Sequence, residues 1–264
     1  MTGLEPRELH PERPHGARIW NYWLGGKDNF AADRQVGDAV REVFPAIVDE
    51  AVKSRQFLVR VVRHLAGEAG IEQFLDLGTG LPTMQNTHEV AQRVNPTARV
   101  VYVDNDPMVL AHARALLTNV TAGGATAYLD ADYRDPADVL DRAAATLDLT
   151  RPVALLCMGV FGYLRDAGEA GGIVEELMAG LSPGSYLGLW DATDTSNHIR
   201  DGVAIQAELG SPYHLRSVAE ITSWFDGLQL VEPGVVSITE WRPDPAEVGR
   251  PAPINSYGGL GRRP

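Results

Sequence analysis

Short apolar runs alternate with helical patterns after Gly70, and this alternation constrains the fold more than any other feature of the sequence. Runs this continuously apolar are typical of strands that helices cover on both faces. The segments between them repeat apolar residues every three or four positions, as amphipathic helices do. The sequence therefore predicts an α/β fold with a doubly wound, mostly parallel sheet. The five predicted strands are 74–77, 100–103, 125–129, 153–156 and 186–190.

The last part of the chain predicts an antiparallel edge for this sheet. A helix is predicted at 217–225, and two β-rich runs follow it at 228–232 and 235–241. Pro233 and Gly234 separate the two runs and form a turn dipeptide. We expect the runs to form a hairpin that extends one edge of the sheet.

The N-terminal part of the chain carries helical patterns and no strand pattern. Apolar residues recur with a spacing of three and four from 47 to 66, which predicts an amphipathic helix. Before it, aromatic and polar residues are interleaved around Gly25 and Gly26, a composition too aromatic for a linker. The predicted division is a flexible tail over 1–14, an N-terminal helical cap or lid over 15–70, and a ligand-binding core over 71–264.

Charge and cysteine content narrow the class of partner. Lys and Arg total 23 against 35 Asp and Glu, and a net charge of -12 repels a nucleic-acid backbone. The single cysteine, Cys157, provides neither an intrachain disulfide nor a cysteine-rich metal site. The chain shows no secretory leader pattern and no apolar run of 18 residues. We expect a cytoplasmic protein with a small-molecule substrate, no metal, and no nucleic-acid or membrane partner; its oligomeric state stays open.

Polar residues and glycines follow the first predicted strand. Ligands of parallel sheets bind beyond the carboxyl ends of the strands, so this segment is a candidate site. Asp76 ends the strand, and Gly78, Thr79 and Gly80 follow in a turn whose glycines leave room for a ligand against the backbone. A Gly-x-Gly pair alone is equally typical of an ordinary tight turn between a strand and a helix.

The next two strands end in groups that support a nucleoside site. Asp104 and Asn105 follow the second strand, where a carboxylate binds ribose hydroxyls. Asp132 and Tyr133 follow the third strand, where they would contact an adenine amine and flank its ring. Each acid alone is equally a solvated loop residue, but three neighbouring strand ends together predict an adenosine ligand.

The glycine pattern selects among adenosine ligands. A dinucleotide fingerprint needs a third glycine, and Thr83 stands at that position. A P-loop Lys-Ser/Thr pair is also missing, so neither a nicotinamide dinucleotide nor a nucleoside triphosphate fits well. An adenosine ligand without a pyrophosphate, S-adenosylmethionine, fits the acids and the two glycines. A Rossmann oxidoreductase is the weaker alternative.

These motifs resemble those of class I S-adenosylmethionine-dependent methyltransferases, and more specifically the S-adenosyl methyltransferase family long catalogued as a domain of unknown function. The resemblance spans 14–264 and implies a Rossmann-like fold, a seven-stranded sheet with an antiparallel strand near its edge, and S-adenosylmethionine as cofactor. It implies no particular methyl acceptor. The segments that carry it are 17–18, 22–34, 76–83, 102–107, 131–132 and 257–262.

The segment around Gly25 and Gly26 is a candidate lid over the ligand site. We expect Tyr22, Lys27 or Asn29 to contact the methionine end of the cofactor or the acceptor. Arg55, on the polar side of the predicted helix over 47–66, either binds the cofactor carboxylate or forms an exposed ion pair.

Catalytic residues carry the weakest signal. Methyl transfer from a sulfonium needs alignment of the acceptor more than a protein nucleophile, and a base is needed only if the acceptor loses a proton. The candidates for that base are Asp28, Tyr163, and His198 or Asp191. Members of the family often carry a His after the fourth strand, but 157–164 contains none. The alternative function is therefore a regulatory protein that binds S-adenosylmethionine or S-adenosylhomocysteine without turnover.

Overall fold

The computed structural model describes residues 10–82, 85–116, 120–244 and 252–264. Within those ranges eight strands form one sheet in the order β3-β2-β1-β4-β5-β8-β6, with β7 paired to β8. Strands β1 to β5 run parallel, and β8 runs antiparallel to β5, β6 and β7. The strands are β1 (Gln73–Leu77), β2 (Arg99–Asp104), β3 (Ala125–Asp130), β4 (Ala154–Met158), β5 (Tyr186–Ala192), β6 (Gln229–Leu230), β7 (Val236–Ser237) and β8 (Ser256–Arg262).

Nine α-helices lie in the described part of the chain. The five predicted parallel strands and the helix predicted over 47–66 are all present, with boundaries that differ by one or two residues. Residues 1–9 of the predicted tail, and Thr83, lie outside the described residues. The helices are α1 (Gly16–Trp23), α2 (Ala31–Val43), α3 (Ile47–Gly67), α4 (Thr87–Val94), α5 (Pro107–Leu116), α6 (Pro136–Ala143), α7 (Ala167–Ala179), α8 (Asn197–Glu208) and α9 (Val218–Ser223).

The antiparallel edge is confirmed, but its composition differs from the predicted hairpin. The runs at 228–232 and 235–241 contribute the short strands β6 and β7, and both pair with β8 rather than with each other. A Cβ atom on Gly258 of β8 would lie 2.1 Å from the Leu189 carbonyl oxygen. Close backbone approach therefore requires glycine at this point of β8. Strand β8, which was not predicted as a strand, makes the described sheet eight-stranded instead of seven-stranded.

Two hydrophobic clusters cover opposite faces of the sheet, as a doubly wound fold requires. In β1 the side chain of Phe74 faces α3 and α4, whereas those of Leu75 and Leu77 face α6 and α7. Helix α3 is fixed to the sheet layer by Arg60, whose guanidinium donates hydrogen bonds to the carbonyl oxygens of Ile238 and Trp241. Helix α3 is therefore a packing layer of the core.

A third cluster joins α1, α2, the start of α3 and α8 above the carboxyl ends of the strands. A buried ion pair connects α1 to α2: Arg18 Nε donates to both Asp33 oxygens at 3.0 and 3.2 Å. Asp33 also accepts hydrogen bonds from the backbone N–H groups of His15 and Phe30. None of the helices in the described ranges is long and apolar enough to cross a membrane.

Candidate functional site

The turn after β1 has a backbone that only glycine adopts without strain. Gly78 and Gly80 have φ angles of 59° and 63°, in the left-handed region. A Cβ atom on Gly78 would lie 2.4 Å from Val160 Cγ2. The Gly78 N–H donates to the Val103 carbonyl oxygen at 2.8 Å, which holds the turn against the end of β2. Thr79 Oγ1 lies 2.8 Å from the Tyr128 hydroxyl.

Asp104 at the end of β2 holds the same turn from the other side. Its Oδ2 accepts a hydrogen bond from the Gly80 N–H at 2.9 Å, and its Oδ1 accepts one from the Asp106 N–H at 2.9 Å. Burial raises the pKa of Asp104, although these two N–H donors oppose the shift. Asn105 lies beside it on the wall of the cavity described below. Both residues therefore stand at the position predicted for ribose recognition.

Asp106 has a structural role and caps α5. Its Oδ1 accepts a hydrogen bond from the Met108 N–H at 2.7 Å, as an N-cap residue does. Its Oδ2 lies 2.8 Å from His15 Nδ1, so α5 is tied to the start of α1.

Asp76 and Arg55 bring opposite charges to one end of the site. Asp76 is buried, its Oδ2 accepts a hydrogen bond from Thr87 Oγ1 at 2.6 Å, and burial raises its pKa to about 6. Arg55 on α3 donates from Nη2 to the Gln85 carbonyl oxygen at 3.1 Å, and burial lowers its pKa. Its Nε is buried and has no hydrogen-bond partner among the described residues. The carboxylate of Asp76 and the unpaired Nε of Arg55 suit the ammonium and carboxylate groups of an amino acid.

The third strand end contributes one of its two predicted residues to the cavity. Tyr133 lines the cavity, and burial raises the pKa of its hydroxyl to about 12. The Arg134 guanidinium lies 5.6 Å from the Tyr133 ring centroid and lines the same wall. Asp132 does not line the cavity, and its Oδ1 accepts a hydrogen bond from the Arg134 N–H at 3.0 Å.

A cavity of about 480 Å³ opens above the carboxyl ends of the strands and under α1, α2 and α8. This volume lies in the range of small-molecule sites. We call its two flanks the cofactor side and the α8 side, because β1, β2 and β3 border the first and β5 and α8 the second. The cofactor side is lined by Arg55, Asp76, Gly78, Thr79, Gly80, Asp104, Asn105, Tyr133 and Arg134. The α8 side is lined by Val40, Phe44, Ile47, Glu50, Ile199, Gly202, Val203, Gln206, Ser211 and Tyr213.

The N-terminal segment covers the cavity with α1, but its three predicted ligand contacts lie elsewhere. Tyr22 donates a hydrogen bond to Asp38 Oδ1 at 2.7 Å on the outer side of α2. Lys27 is exposed, and Asn29 Nδ2 donates to Asn21 Oδ1 at 3.0 Å. The face of α1 opposite Tyr22 lines the cavity with Ala17, Trp20, Asn21 and Leu24.

The structure brings one of the four predicted bases to the cavity. Tyr163 lines it, and its hydroxyl packs against Gly16 of α1, where burial raises the pKa of the phenol. Asp28 does not line the cavity, and its Oδ1 lies 3.6 Å from His112 Nε2. His198 is exposed on α8. Cys157 is fully buried, and burial raises the pKa of its thiol, so it is not an exposed nucleophile.

The fourth predicted base, Asp191 at the end of β5, is buried and pairs with Tyr213, which the sequence does not single out. Asp191 accepts hydrogen bonds from the Tyr213 hydroxyl and from the N–H groups of Gly162 and Ala192. Burial raises its pKa to about 6. Its place after a strand is a weak signal in the sequence, but Tyr213 reaches it from beyond α8 and carries no signal of its own.

The family model for S-adenosyl methyltransferases matches residues 2–264. The chain belongs to the S-adenosyl methyltransferase family. A DUF574 family protein from Streptomyces avermitilis is 44% identical, with 96% of this chain and 99% of that chain covered and a TM-score of 0.91. A protein from Thermobifida fusca, solved as a candidate methyltransferase, is 43% identical, with 96% of each chain covered and a TM-score of 0.87. No curated protein matches the chain.

More distant structures share the Rossmann-like class I methyltransferase fold. Magnesium protoporphyrin IX methyltransferase from Synechocystis, solved with bound S-adenosylmethionine, is 14% identical, with 98% of this chain and 100% of that chain covered and a TM-score of 0.55. S-adenosylmethionine is the cofactor of the family to which this chain belongs. Two features of the site fit S-adenosylmethionine: the space beside Gly78, which a Cβ atom would fill, and the unpaired Nε of Arg55.

Proposed function

We propose that the protein is an S-adenosylmethionine-dependent methyltransferase that acts on a small molecule in the cytoplasm. The observation that carries the proposal is the buried Nε of Arg55, which has no hydrogen-bond partner among the described residues and lies beside the buried Asp76 carboxylate. A net charge of -12 favours a small acceptor over a nucleic acid.

The cofactor side holds a nucleoside linked to an amino acid. In the proposal Asp104 and Asn105 bind the ribose, and Tyr133 with Arg134 flanks the adenine. Arg55 and Asp76 bind the carboxylate and ammonium groups, and the turn over 78–80 lets the cofactor lie against the backbone. Asp132 reaches the adenine amine only if its carboxylate turns away from the Arg134 N–H. Tyr22, Lys27 and Asn29 have no role in the proposal, since they do not line the cavity.

S-adenosylmethionine supplies, when bound, a methyl group that the sulfonium already activates. The protein has to align the acceptor, exclude water and receive a proton if the acceptor loses one. We assign proton transfer to Tyr213 and Asp191: a carboxyl with a pKa of about 6 is mostly ionised at pH 7 and accepts a proton through the Tyr213 hydroxyl. Tyr163 stays a second candidate because it lines the same cavity. Asp28 and His198 do not line it.

Thermal unfolding with separate ligands tests the cofactor assignment. S-adenosylmethionine and S-adenosylhomocysteine should each stabilise the protein by about 2.7 kcal/mol at 100 times their Kd, and NAD should not. Arg55→Met should weaken S-adenosylhomocysteine binding at least tenfold, since it removes the charge proposed for the carboxylate. Arg63→Met, a surface arginine on the same helix, is the matched control. Stabilisation by NAD alone refutes the proposal.

The second candidate function is cofactor binding without turnover. The sequence 157–164, which lacks the His that family members often carry, favours it. Formation of S-adenosylhomocysteine with a panel of small hydroxylated or amino acceptors separates the two. Tight binding with no product from any acceptor favours the regulatory protein.

A further inference from the structure

The α8 side of the cavity is walled by apolar side chains. Phe44, Ile47 and Ile199 are buried and line it from α2, α3 and α8. Val203 lines the same wall one turn after Ile199. This side lies near β5, across β1 and β4 from the ribose and adenine residues. It therefore offers an apolar surface next to, and separate from, the proposed cofactor site.

The carboxylate on this side is hydrogen-bonded inside the protein. Glu50 is 3% exposed, and its Oε1 accepts hydrogen bonds from Asn255 N–H at 2.8 Å and from Asn255 Nδ2 at 2.9 Å. Its Oε2 accepts one from Ser256 Oγ at 2.7 Å. Among the described residues no other Asp, Glu, Lys or Arg lines the α8 side. An anionic ligand group would lose its water there without meeting a cationic side chain, which is unfavourable.

Two buried polar groups face the same space without protein partners. Gln206 on α8 is 5% exposed, and its side-chain amide makes no hydrogen bond to any described residue. Ser211 is 6% exposed, and its hydroxyl likewise has no partner within the described ranges. The Ser211 N–H donates to the Gln206 carbonyl oxygen at 3.0 Å, so the backbone holds the two residues together. Polar side chains that line a cavity without protein partners can form hydrogen bonds with a ligand or with water there.

We propose that the α8 side binds the methyl acceptor, and that this acceptor is a ring compound without an anionic group, with a hydroxyl or carbonyl group held by Gln206 and Ser211. The ring packs against Phe44, Ile199 and Val203. The group held by Gln206 anchors the acceptor and is distinct from the atom that receives the methyl group. The inference rests on the proposed methyltransferase function, because it places the acceptor beside the cofactor.

Calorimetric titration with a matched pair of probes tests the inference. The full-length protein is saturated with S-adenosylhomocysteine and titrated at pH 7 with 2-naphthol, which is uncharged, and with 2-naphthoate, which carries a carboxylate on the same ring. We expect 2-naphthol to bind at least tenfold more tightly. Equal or tighter binding of 2-naphthoate, or no saturable binding of 2-naphthol, overturns the inference.

Substitutions locate the probe within the cavity. Gln206→Leu should weaken 2-naphthol binding about fivefold, the effect of one hydrogen bond, and Val203→Asp should weaken it at least tenfold. Glu208→Leu, on the outer face of α8, is the matched control. Unchanged S-adenosylhomocysteine affinity shows that each variant is folded. Unchanged 2-naphthol affinity in both cavity variants overturns the inference.

The two proposals fail in different ways. If S-adenosylhomocysteine does not bind while 2-naphthol still binds and responds to Gln206→Leu, the cofactor assignment is wrong and the assignment of the α8 side stands. If S-adenosylhomocysteine binds and 2-naphthol does not, only the acceptor inference is wrong.

Discussion

At the scale of single residues, both the backbone conformation and the surroundings of Gly78 oppose a side chain. In Gly78→Ala a φ of 59° becomes strained, and the new Cβ meets Val160 Cγ2 at 2.4 Å. Strain and overlap together should lower the free energy of unfolding by roughly 2–4 kcal/mol. S-adenosylhomocysteine binding should weaken too, because the turn shifts. Urea denaturation and calorimetric titration measure the two effects.

A double-mutant cycle separates the two causes. Val160→Ala removes the overlapping atoms but leaves the φ angle, so Gly78→Ala combined with Val160→Ala should recover about 1–2 kcal/mol relative to the sum of the single effects. Gly172→Ala is the control, because this glycine lies in α7 with no atom within 4 Å of its added Cβ. It should stabilise the protein by about 0.5–1 kcal/mol. Strict additivity of the first two substitutions would exclude steric overlap as a cause.

The position of each site residue in the chain decides whether its place in the site could be predicted from the sequence. Asp76 and Asp104 were predictable because each lies at the carboxyl end of an apolar strand, and parallel strands bring these ends together. Gln206, Tyr213 and Glu50 reach the cavity from helices and loops whose placement depends on long-range packing. Glu50 meets its partner Ser256 across 206 positions of sequence. No local sequence pattern predicts such contacts.

At the scale of elements, the ion pair between α1 and α2 holds α1 over the cavity. In Asp33→Asn the buried Arg18 loses its counterion, and breaking a buried pair costs roughly 3–5 kcal/mol. We expect α1 to detach, because Asp33 also holds the His15 and Phe30 N–H groups. S-adenosylhomocysteine affinity should fall at least tenfold, since Ala17 and Trp20 line the cavity. Titration calorimetry and limited proteolysis of the variant test this.

The matched control for that variant lies on the same helix. Asp38→Asn removes a carboxylate that accepts a hydrogen bond from Tyr22 on the outer side of α2. Because this pair is exposed, the substitution should change stability by less than about 1 kcal/mol and leave ligand affinity unchanged. A proteolysis pattern and an affinity in Asp33→Asn that match those of Asp38→Asn would show that the pair does not hold α1 in place.

The strands show why local patterns predicted most elements and missed one. The strands β1, β2, β4 and β5 carry apolar runs, so their burial on both faces could be predicted from the sequence. The edge strand β3 was predicted in the same way, although its residues are only partly buried. Strand β8 contains Gly258, Gly259 and Gly261, and glycine is depleted in strands. Its glycines are required by contacts with β5 and with the 234–235 turn, which form only in the folded sheet. Tertiary contacts therefore override local propensity at this edge.

At the scale of the whole molecule, the predicted cap over 15–70 and the predicted core over 71–264 are joined by hydrophobic contacts and hydrogen bonds. Helix α3 lies before that boundary, yet Phe57 and Leu65 belong to the same cluster as Phe74 and Leu260. Glu50 near the start of α3 binds Asn255 and Ser256 near the end of the chain. We therefore propose that α1 and α2 alone form the separable cover, and that α3 unfolds with the sheet.

The stability of the whole molecule should depend on pH through its buried acids. Burial raises the pKa of Asp191 to about 6 from 3.8, so between these values the folded chain keeps a proton that the unfolded chain has released. The unfolding free energy therefore falls as pH rises from about 4 to 6, by roughly 3 kcal/mol for this group. Asp76 acts in the same direction. Urea denaturation of wild type and Asp191→Asn at pH 4, 5, 6 and 7 isolates the effect of Asp191.

Relative to wild type, Asp191→Asn should gain stability as pH rises through this window, whatever constant loss the altered hydrogen bonds cause. Asp148→Asn supplies a control of opposite sign. Hydrogen bonds from Thr150 lower the pKa of Asp148, so that carboxylate stabilises the fold above its unfolded pKa and loses the effect as pH falls. Its removal should therefore reduce stability more at pH 7 than at low pH. Parallel profiles for wild type and Asp191→Asn would mean that Asp191 ionises as readily in the folded chain as in the unfolded one, which contradicts the raised pKa of this carboxyl.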